Sequence, residues 1–229
     1  MFSKIIGTGG YLPKKIVTNK DLESTVDTTD QWIVERTGIK QRHIAEENET
    51  TSSMAVQASI DALNSANIQP EDIDLIIVAT TTPDQIFPST ACIVQNKLKI
   101  KAPAFDIQAA CTGFVYAVSI ADNYIKAGLN KNILVIGAEK YSNLLDWNDR
   151  STCVLFGDGA GAVILSAQSE PGIISTHIHA DGKYNDLLSV ENNHIKMKGN
   201  EVFKVAVNTL SKLVDETLSI NNMTKSDID

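Results

Sequence analysis

The sequence predicts an α/β protein in which helices pack against a layered β-sheet. The first observation is that short apolar, β-branched runs alternate with amphipathic segments along the chain. The second is that one helix-and-turn pattern occurs in the first third of the chain and again at its last residues. Alternation of strands and helices is typical of layered α/β sheets.

The individual elements follow from the spacing of apolar residues. Helical spacing predicts helices over residues 52–67 and 113–126. Continuous apolar runs predict buried strands, the last of them preceded by a glycine-rich loop. The predicted strands are residues 75–80, 102–107, 133–137 and 162–165.

The repeated pattern is a helix followed by eight residues that end in Asp-Ile-Asp. Residues 67–74 form the first copy and residues 222–229 the second. After the first copy the chain continues into the predicted strand 75–80, whereas the second copy ends the sequence. Two similar halves would produce this pattern, and a chance match between two short segments is the alternative.

Composition and charge exclude several classes of function. A chain of 229 residues can bury one or two sizeable cores. A net charge of −8 and no basic run argue against a nucleic-acid-binding surface. Residues 1–7 lack the apolar core of a signal peptide, and no stretch approaches the ~20 apolar residues of a membrane span. We therefore expect a soluble, cytoplasmic protein.

The three cysteines are predicted to be free thiols, since they are odd in number and form no CxxC pair. Cys111 follows a predicted strand, has small neighbours and precedes a predicted helix. Helix N-termini stabilise thiolates, and small neighbours leave room for an electrophile. A packed core cysteine explains the local pattern equally well. Cys92 and Cys153 fall in helical and strand patterns and are predicted to be structural.

The glycine-rich segment 156–162 does not predict a dinucleotide site. Glycines that bind a pyrophosphate follow a strand and open a helix, whereas these precede a strand.

The histidines give no strong indication of a site. His177 and His179 lie on the same side of a predicted strand, residues 173–180, and two such side chains could share a metal ion. No third ligand lies nearby, so solvent-facing or hydrogen-bonded roles are favoured and no metal site is predicted. His43, in a short strand-like piece, and His194, in a polar loop, do not have the spacing of a catalytic base.

A tryptophan and an arginine are predicted to lie one helical turn apart. Thr29 and Asp30 are typical of a helix start, which puts Trp32 and Arg36 on one face of that helix. Such a pair could bind an anionic aromatic ligand. The residues alone favour a half-buried Trp32 and an Arg36 paired with a carboxylate.

Seven blocks along the whole chain, in this order, resemble the β-ketoacyl-[acyl carrier protein] synthase III family. They are residues 4–9, 32–38, 87–89, 109–114, 156–162, 179–182 and 199–203. The resemblance implies a thiolase-like αβαβα layered sandwich of two similar halves that forms a homodimer. The halves would be residues 1–168 and residues 169–229, the second of them incomplete. Two halves would also explain the repeated pattern.

The resemblance implies a reaction as well. Members of this family condense a short acyl-CoA with malonyl-[acyl carrier protein], releasing CO₂ and CoA, and need no metal or nucleotide cofactor. Cys111 resembles the cysteine that takes the acyl group before the malonyl-derived carbanion attacks it, which is covalent ping-pong catalysis. No nucleic-acid or membrane partner is implied.

Binding residues are implied by the same resemblance. Trp32 and Arg150 resemble the pair that sandwiches the adenine of CoA, and Arg36 and Thr37 match neighbours of its nucleotide end. Arginine suits an anionic nucleotide of this kind.

The acyl pocket is implied in the same way. Phe87 matches a residue that reaches across the dimer to close this pocket, which favours short primers such as acetyl. Phe156, Leu188 and Ile195 match other lining positions. Tyr141 stands where an aliphatic residue is expected, and the loop 189–197 is shorter than usual. An acidic carrier protein needs a basic patch for docking, and Lys204 is predicted to belong to it.

Part of the family's catalytic machinery corresponds to positions beyond Asp229. This part comprises a His, an Asn and a glycine-rich segment of the oxyanion hole, and losing one such group typically costs about 10²–10³-fold in rate. We also expect an incomplete second half to expose apolar helix surface and unpaired sheet edges, and so to lower solubility.

Three hypotheses remain at this stage. The chain is a condensing enzyme whose last third is absent, or a binding module that retains acyl-CoA contacts or pairs with a full-length partner. The third, a cysteine hydrolase, requires a His presented to Cys111, which the spacing does not support.

Overall fold

The computed structural model describes all 229 residues, which form nine strands and seven α-helices. The strands are β1 (Phe2–Tyr11), β2 (Lys15–Thr18), β3 (Gln41–Ile44), β4 (Leu75–Ala79), β5 (Ala104–Ile107), β6 (Asn132–Lys140), β7 (Asp158–Gln168), β8 (Leu188–Glu191) and β9 (His194–Met197). The helices are α1 (Asn19–Glu23), α2 (Asp30–Thr37), α3 (Thr51–Ala66), α4 (Thr90–Leu98), α5 (Gly113–Lys126), α6 (Arg150–Cys153) and α7 (Gly199–Ile220).

Five strands form one mixed sheet in the order β1-β7-β6-β4-β5. Strand β4 runs parallel to β5 and β6, while β7 is antiparallel to β6 and β1. Helices α3 and α4 cover one face and α5 covers the other. Strands β2 and β3 form a separate two-stranded sheet, as do β8 and β9. The result is the α/β layered fold that the sequence predicts.

The sheet has one apolar core on each face, and strand β4 contributes side chains to both. Ile76 and Val78 face α3 and α4, while Leu75 and Ile77 face α5, because successive side chains point to opposite faces of a strand. All five residues of β4 are buried. Burial on both faces explains why this strand appears in the sequence as a continuous apolar run.

Four predicted strands and both predicted helices are confirmed, although the ends of several differ from the prediction. Residues 75–80, 102–107, 133–137 and 162–165 lie in or overlap β4, β5, β6 and β7, and the two predicted helices are α3 and α5. Strand β7 begins earlier than predicted, at Asp158, so Gly159 and Gly161 belong to the strand. The glycine-rich segment therefore lies largely within a sheet, and it does not open a helix.

Three local predictions are wrong. Residues 173–180 are not a strand, because a single backbone hydrogen bond, from the N–H of Ile173 to the carbonyl of Ser3 on β1, does not make the ladder that defines a strand. His194 lies at the start of β9, where an antiparallel partner is available in β8, and not in a loop. Cys153 ends the short helix α6 and does not lie in a strand.

The repeated pattern has the same backbone conformation in both copies. Asn67 after α3 and Asn222 after α7 have φ values of 54° and 52°. The next residue donates its N–H to the carbonyl of a leucine near the helix end, from Ile68 to Leu63 and from Met223 to Leu218. A 3₁₀ turn follows each time, at Pro70–Asp72 and at Lys225–Asp227.

The two helices of the repeat differ in their surroundings. Nine residues of α3 are buried against the sheet and its neighbours, whereas α7 has no buried residue. Helix α7 exposes a row of apolar side chains formed by Phe203, Val207, Leu210 and Val214, each at least 50% exposed. None of the helices has the length and apolar character that a bilayer-spanning segment requires.

Candidate active site

Cys111 lies in an exposed turn where β5 gives way to α5. The turn is the 3₁₀ segment Ala110–Thr112, and Ala110 has a φ of 45°, which is uncommon for a residue with a side chain. The hydroxyl and N–H of Thr112 both donate to the carbonyl of Ala109, at 2.9 and 3.2 Å. This turn presents the exposed thiol at the N-terminal end of a 14-residue helix, so Cys111 is not a packed core cysteine.

Small residues allow the close approach of α5 to the sheet below Cys111. A Cβ atom added to Gly113 would lie 3.3 Å from the Cβ of Ala79 on β4. One added to Gly137 on β6 would lie 3.3 Å from the ring of Phe114. Cys92 and Cys153 differ from Cys111, since the first is half-buried on α4 and the second is fully buried.

Two cavities meet at Cys111, and both are also lined by Ala110 and Tyr141. The first, of about 370 Å³, is called the glycine-lined cavity because Gly137, Gly159 and Gly161 lie along it. The second, of about 330 Å³, is called the apolar cavity, and it is lined mainly by hydrophobic side chains. These include Leu144, Phe156, Leu188, Val190 and Ile195.

Tyr141 lines both cavities and is held in place from two sides. Its phenolic oxygen accepts a hydrogen bond of 3.0 Å from the hydroxyl of Thr81. Its ring packs against Phe156 with 5.3 Å between the ring centroids. Burial raises the pKa of Tyr141, the hydrogen bond from Thr81 opposes this, and the nearby Glu139 carboxylate raises it further.

Two carboxylates fix the backbone around Tyr141. Glu139 accepts from the N–H of Thr81 at 2.8 Å and from the hydroxyl of Thr82 at 2.6 Å. Asp158 accepts from the N–H of Ser142 at 2.8 Å and from that of Ala45 at 2.7 Å. Hydrogen bonds of this kind to charged groups are the stronger ones in proteins, so the backbone on either side of Tyr141 is well supported.

A second cluster, called here the tryptophan–arginine stack, consists of Trp32, Arg36 and Arg150. The guanidinium carbons of Arg36 and Arg150 lie 4.4 and 4.8 Å from the centroid of the Trp32 ring. Thr29 caps α2 by accepting from the N–H of Trp32 at 3.1 Å. Arg150 also donates to the carbonyl of Asp27 at 2.6 Å. Arg36 has no carboxylate partner, contrary to the role that the residues alone favoured.

Two threonines lie near this stack. The hydroxyl of Thr37 donates to the carbonyl of Ile33 at 2.7 Å and accepts from the N–H of Ile39 at 3.0 Å, so it serves the end of α2. The hydroxyl oxygen of Thr28 is buried and has no hydrogen-bond partner. Sequence reasoning missed Thr28, because a single threonine ahead of a helix cap carries no pattern of its own.

Two other predicted residues lie away from Cys111. Phe87 is 82% exposed on the loop between β4 and α4 and lines neither cavity. Lys204 lies on α7, where it lines a separate groove of about 840 Å³ together with Lys183 and Lys212. Leu188 and Ile195, by contrast, lie on the β8–β9 sheet that closes one side of the apolar cavity.

The four histidines all lie outside the two cavities. His177 and His179 both face the carboxylate of Glu216, at 3.5 and 3.0 Å, which agrees with the hydrogen-bonded role favoured for them. His43 contacts the carbonyl of Pro13 at 2.6 Å, and His194 that of Asn192 at 3.0 Å. No group of three or more His, Cys, Asp or Glu side chains is arranged to hold a metal ion.

The fold and the exposed cysteine define a class of protein, the thiolase-like condensing enzymes. A solved 3-oxoacyl-[acyl-carrier-protein] synthase III from Aquifex aeolicus is similar to this chain with a TM-score of 0.94 and 55% identity. The similarity covers 97% of this chain and 73% of that one. The enzyme from Thermus thermophilus gives a TM-score of 0.93 at 40% identity, over 98% of this chain and 74% of that one.

Comparison of sequences specifies the family. The family described as 3-Oxoacyl-[acyl-carrier-protein (ACP)] synthase III matches residues 105–182. Two β-ketoacyl-[acyl-carrier-protein] synthases III, from Thiobacillus denitrificans and Vibrio cholerae, are each 58% identical to this chain, over 239 and 238 residues. Both comparisons cover 100% of this chain and 75% of the relative. The chain belongs to the β-ketoacyl-[acyl-carrier-protein] synthase III family, the initiating condensing enzymes of fatty-acid synthesis.

Proposed function

We propose that Cys111 is the acyl acceptor in a condensation that joins a short acyl group, most readily acetyl, from acyl-CoA to malonyl-[acyl carrier protein]. The observation that carries the proposal is the position of Cys111, exposed at the N-terminus of α5 where two cavities meet. Family membership supplies the reaction, and the cavities supply the space that its two substrates need.

The chemistry has two stages. In the first, the Cys111 thiolate attacks the carbonyl carbon of the acyl-CoA, the tetrahedral adduct collapses, and CoA leaves as its thiolate. In the second, the malonyl thioester loses CO₂ and the resulting carbanion attacks the acyl-cysteine carbonyl, which forms a carbon–carbon bond and releases the Cys111 thiolate. The dipole of α5 favours negative charge on this sulfur in both stages.

The tryptophan–arginine stack is proposed to bind the nucleotide end of CoA. Arg150 now lies over the indole of Trp32, and an adenine entering between them would keep both stacking partners. Arg36 would remain as a cation for the phosphates, with Thr37 alongside and the free hydroxyl of Thr28 available to the base.

The apolar cavity is proposed to hold the acyl chain against Phe156, Leu188 and Ile195. The exposed Phe87 would close the corresponding cavity of a second copy, in a homodimer. We further propose that residues 1–168 form one half of a duplicated fold and residues 169–229 the beginning of the other. The repeated turn after α3 and α7 supports this division.

Docking of the acidic carrier protein is proposed for the groove that contains Lys204. Lys204 and Lys212 have no acidic partner within ion-pair distance, although the chain as a whole is strongly acidic. Complementary charge of this kind mainly raises the rate of encounter. A cytoplasmic location and the absence of a nucleic-acid role complete the proposal.

One observation supports a narrower alternative, a module that binds or accepts an acyl group without condensing it. No histidine lines either cavity at Cys111, so no imidazole lies beside the thiol to act as a base. The same observation argues against a cysteine hydrolase, which needs a base at the thiol.

Thiol release separates these possibilities. A chromogenic thiol reagent would follow free CoA after acetyl-CoA is added, first alone and then with malonyl-[acyl carrier protein]. Acyl transfer to Cys111 predicts one equivalent of CoA per chain, absent in Cys111→Ser. If CoA release continues after malonyl-[acyl carrier protein] is added, and 3-oxoacyl-[acyl carrier protein] is detected by mass, condensation is supported. Release of only one equivalent of CoA under both conditions supports a module that accepts an acyl group without condensing it. Continued release of CoA without the carrier protein supports hydrolysis.

A further inference from the structure

Arg42 on β3 is a buried cation without an anionic partner. Only 4% of the residue is exposed, and no carboxylate lies within ion-pair distance. Burial lowers its pKa, while the nearby Cys153 and Asp21 oppose this. A buried charge of this kind is costly unless its hydrogen bonds are well placed. The hydrogen bonds of Arg42 therefore indicate what its guanidinium does.

Each hydrogen bond of Arg42 goes to a neutral acceptor, two of them on the segment 17–19 and one on Val154. Nη1 donates to the carbonyl of Val17 at 3.0 Å. Nη2 donates to the side-chain oxygen of Asn19 at 2.8 Å and to the carbonyl of Val154 at 3.0 Å. One rigid, planar group therefore joins strand β2, the beginning of α1 and the residue that follows α6.

Asn19 extends this connection to both ends of α2. Its amide donates to the carboxylate of Asp30, the first residue of α2, at 2.8 Å. It also donates to the carbonyl of Ile39, just beyond the end of α2, at 2.7 Å. Arg42 thus reaches α2 through a single side chain.

The two helices connected in this way carry the tryptophan–arginine stack. Helix α2 contributes Trp32 and Arg36, and α6 begins with Arg150. Between them lies a small apolar cluster that includes Ile33 and Cys153. Apolar contacts hold two helices together but tolerate small rotations and shifts, whereas hydrogen bonds from one rigid group fix distance and orientation.

We infer that Arg42 is a positioning residue for the nucleotide end of the acyl donor, because it sets α2 and α6 at the spacing that the stack requires. The inference rests on the proposed role of the stack in binding CoA. It assigns Arg42 no contact with substrate and no part in the chemistry at Cys111.

Two donors that differ only in the nucleotide test this inference. Acetylation of Cys111 would be followed by intact-protein mass against the concentration of acetyl-CoA and of acetyl-pantetheine, which lacks the nucleotide. For Arg42→Lys, which keeps the charge but cannot reach all three acceptors, we expect half-saturation by acetyl-CoA to require roughly tenfold more donor. The maximal rate and the reaction with acetyl-pantetheine should stay within about twofold of wild type.

A second variant and a control guard against a general effect on folding. Asn19→Asp keeps the acceptor for Arg42 but loses both donors to the ends of α2, and it should give the same donor-specific change. Lys140→Met also removes a buried cation that binds only carbonyls, those of Glu46 and Glu49, away from the stack. Lys140→Met should change the acetylation of Cys111 by acetyl-CoA and by acetyl-pantetheine to the same extent.

The outcomes are distinct. A loss specific to acetyl-CoA in Arg42→Lys and Asn19→Asp supports the inference. Equal losses with both donors, or no loss in either variant, overturn it. If acetyl-CoA does not acetylate wild-type Cys111, the proposed function fails, and if wild type uses both donors equally well, the nucleotide site fails and Arg42 has no such role.

Discussion

The hydroxyl of Thr81 donates a hydrogen bond to the phenolic oxygen of Tyr141 across 3.0 Å, beside the thiol of Cys111. This contact fixes an aromatic ring at the boundary between the glycine-lined and the apolar cavities. The ring occupies volume that a smaller side chain would leave to the acyl group. Tyr141 is therefore expected to limit the length of the acyl chain.

Replacing Tyr141 should change acyl preference. In Tyr141→Leu, acetylation of Cys111 by acetyl-CoA should fall slightly. Acylation by hexanoyl-CoA should rise by about tenfold relative to acetylation, since room for even one more methylene in an apolar pocket is worth roughly 10–200-fold. Competition between the two donors, read by intact-protein mass, gives the ratio. Tyr141→Phe keeps the ring and should keep the wild-type preference. An unchanged ratio in Tyr141→Leu would show that another residue sets the length.

The three cysteines should differ sharply in reactivity. Cys111 is exposed, whereas burial raises the pKa of Cys153, which nearby Asp149 raises further and Arg42 lowers. Limited iodoacetamide treatment at pH 8 should therefore alkylate Cys111 at least about tenfold faster than Cys153. Peptide mass mapping over time measures both rates, and Cys111→Ser should abolish the fast phase. A fast phase assigned to Cys153 would contradict the described burial.

Gly157 should be required for stability next to the active site. A Cβ atom at this position would lie 2.9 Å from the carbonyl oxygen of His43 and 3.1 Å from the Cβ of Arg42, both part of strand β3. Gly157→Ala should lower the free energy of unfolding by about 1–3 kcal/mol, measured by urea denaturation. Gly10→Ala is the matched control, because the nearest atom to its added Cβ lies 3.9 Å away. Equal stability of the two variants would contradict the contact.

The apolar row on α7 should govern solubility more than stability. Leu210 is 60% exposed and Val214 is 50% exposed, so replacing both with lysine removes little buried surface. The double variant should scatter less light at high concentration, and its free energy of unfolding should change by no more than about 0.5 kcal/mol. A loss of several kcal/mol would mean that this face is packed against another part of the chain. Leu134→Lys, at a fully buried site, should unfold the protein.

The elements whose pattern is local could be predicted from the sequence. Strand β4 and helices α3 and α5 follow from apolar spacing alone, because both faces of β4 and one face of each helix meet a core. Residues 173–180 have the pattern of a strand but make only one backbone hydrogen bond to a strand, from Ile173 to Ser3, and no local pattern reveals the lack of a full partner. Tertiary pairing decides such cases.

The candidate site was predictable only in part. Cys111 stands out locally, but the residues alone left a core cysteine equally plausible, and its exposure comes from the turn at Ala110. The stacking of Arg150 on Trp32 joins residues far apart in the sequence, so only the family resemblance indicated it. Arg42 gave no indication, because its acceptors lie on two segments, around residues 17–19 and at Val154, that meet Arg42 only in the folded chain.

The most direct test of the account is the mass of the intact protein after incubation with acetyl-CoA. We predict one acetyl adduct, mapped to the peptide that contains Cys111, absent in Cys111→Ser and present in Cys92→Ser. An adduct on another residue, or no adduct on a chain that unfolds cooperatively, would contradict the claim that Cys111 is the acyl acceptor.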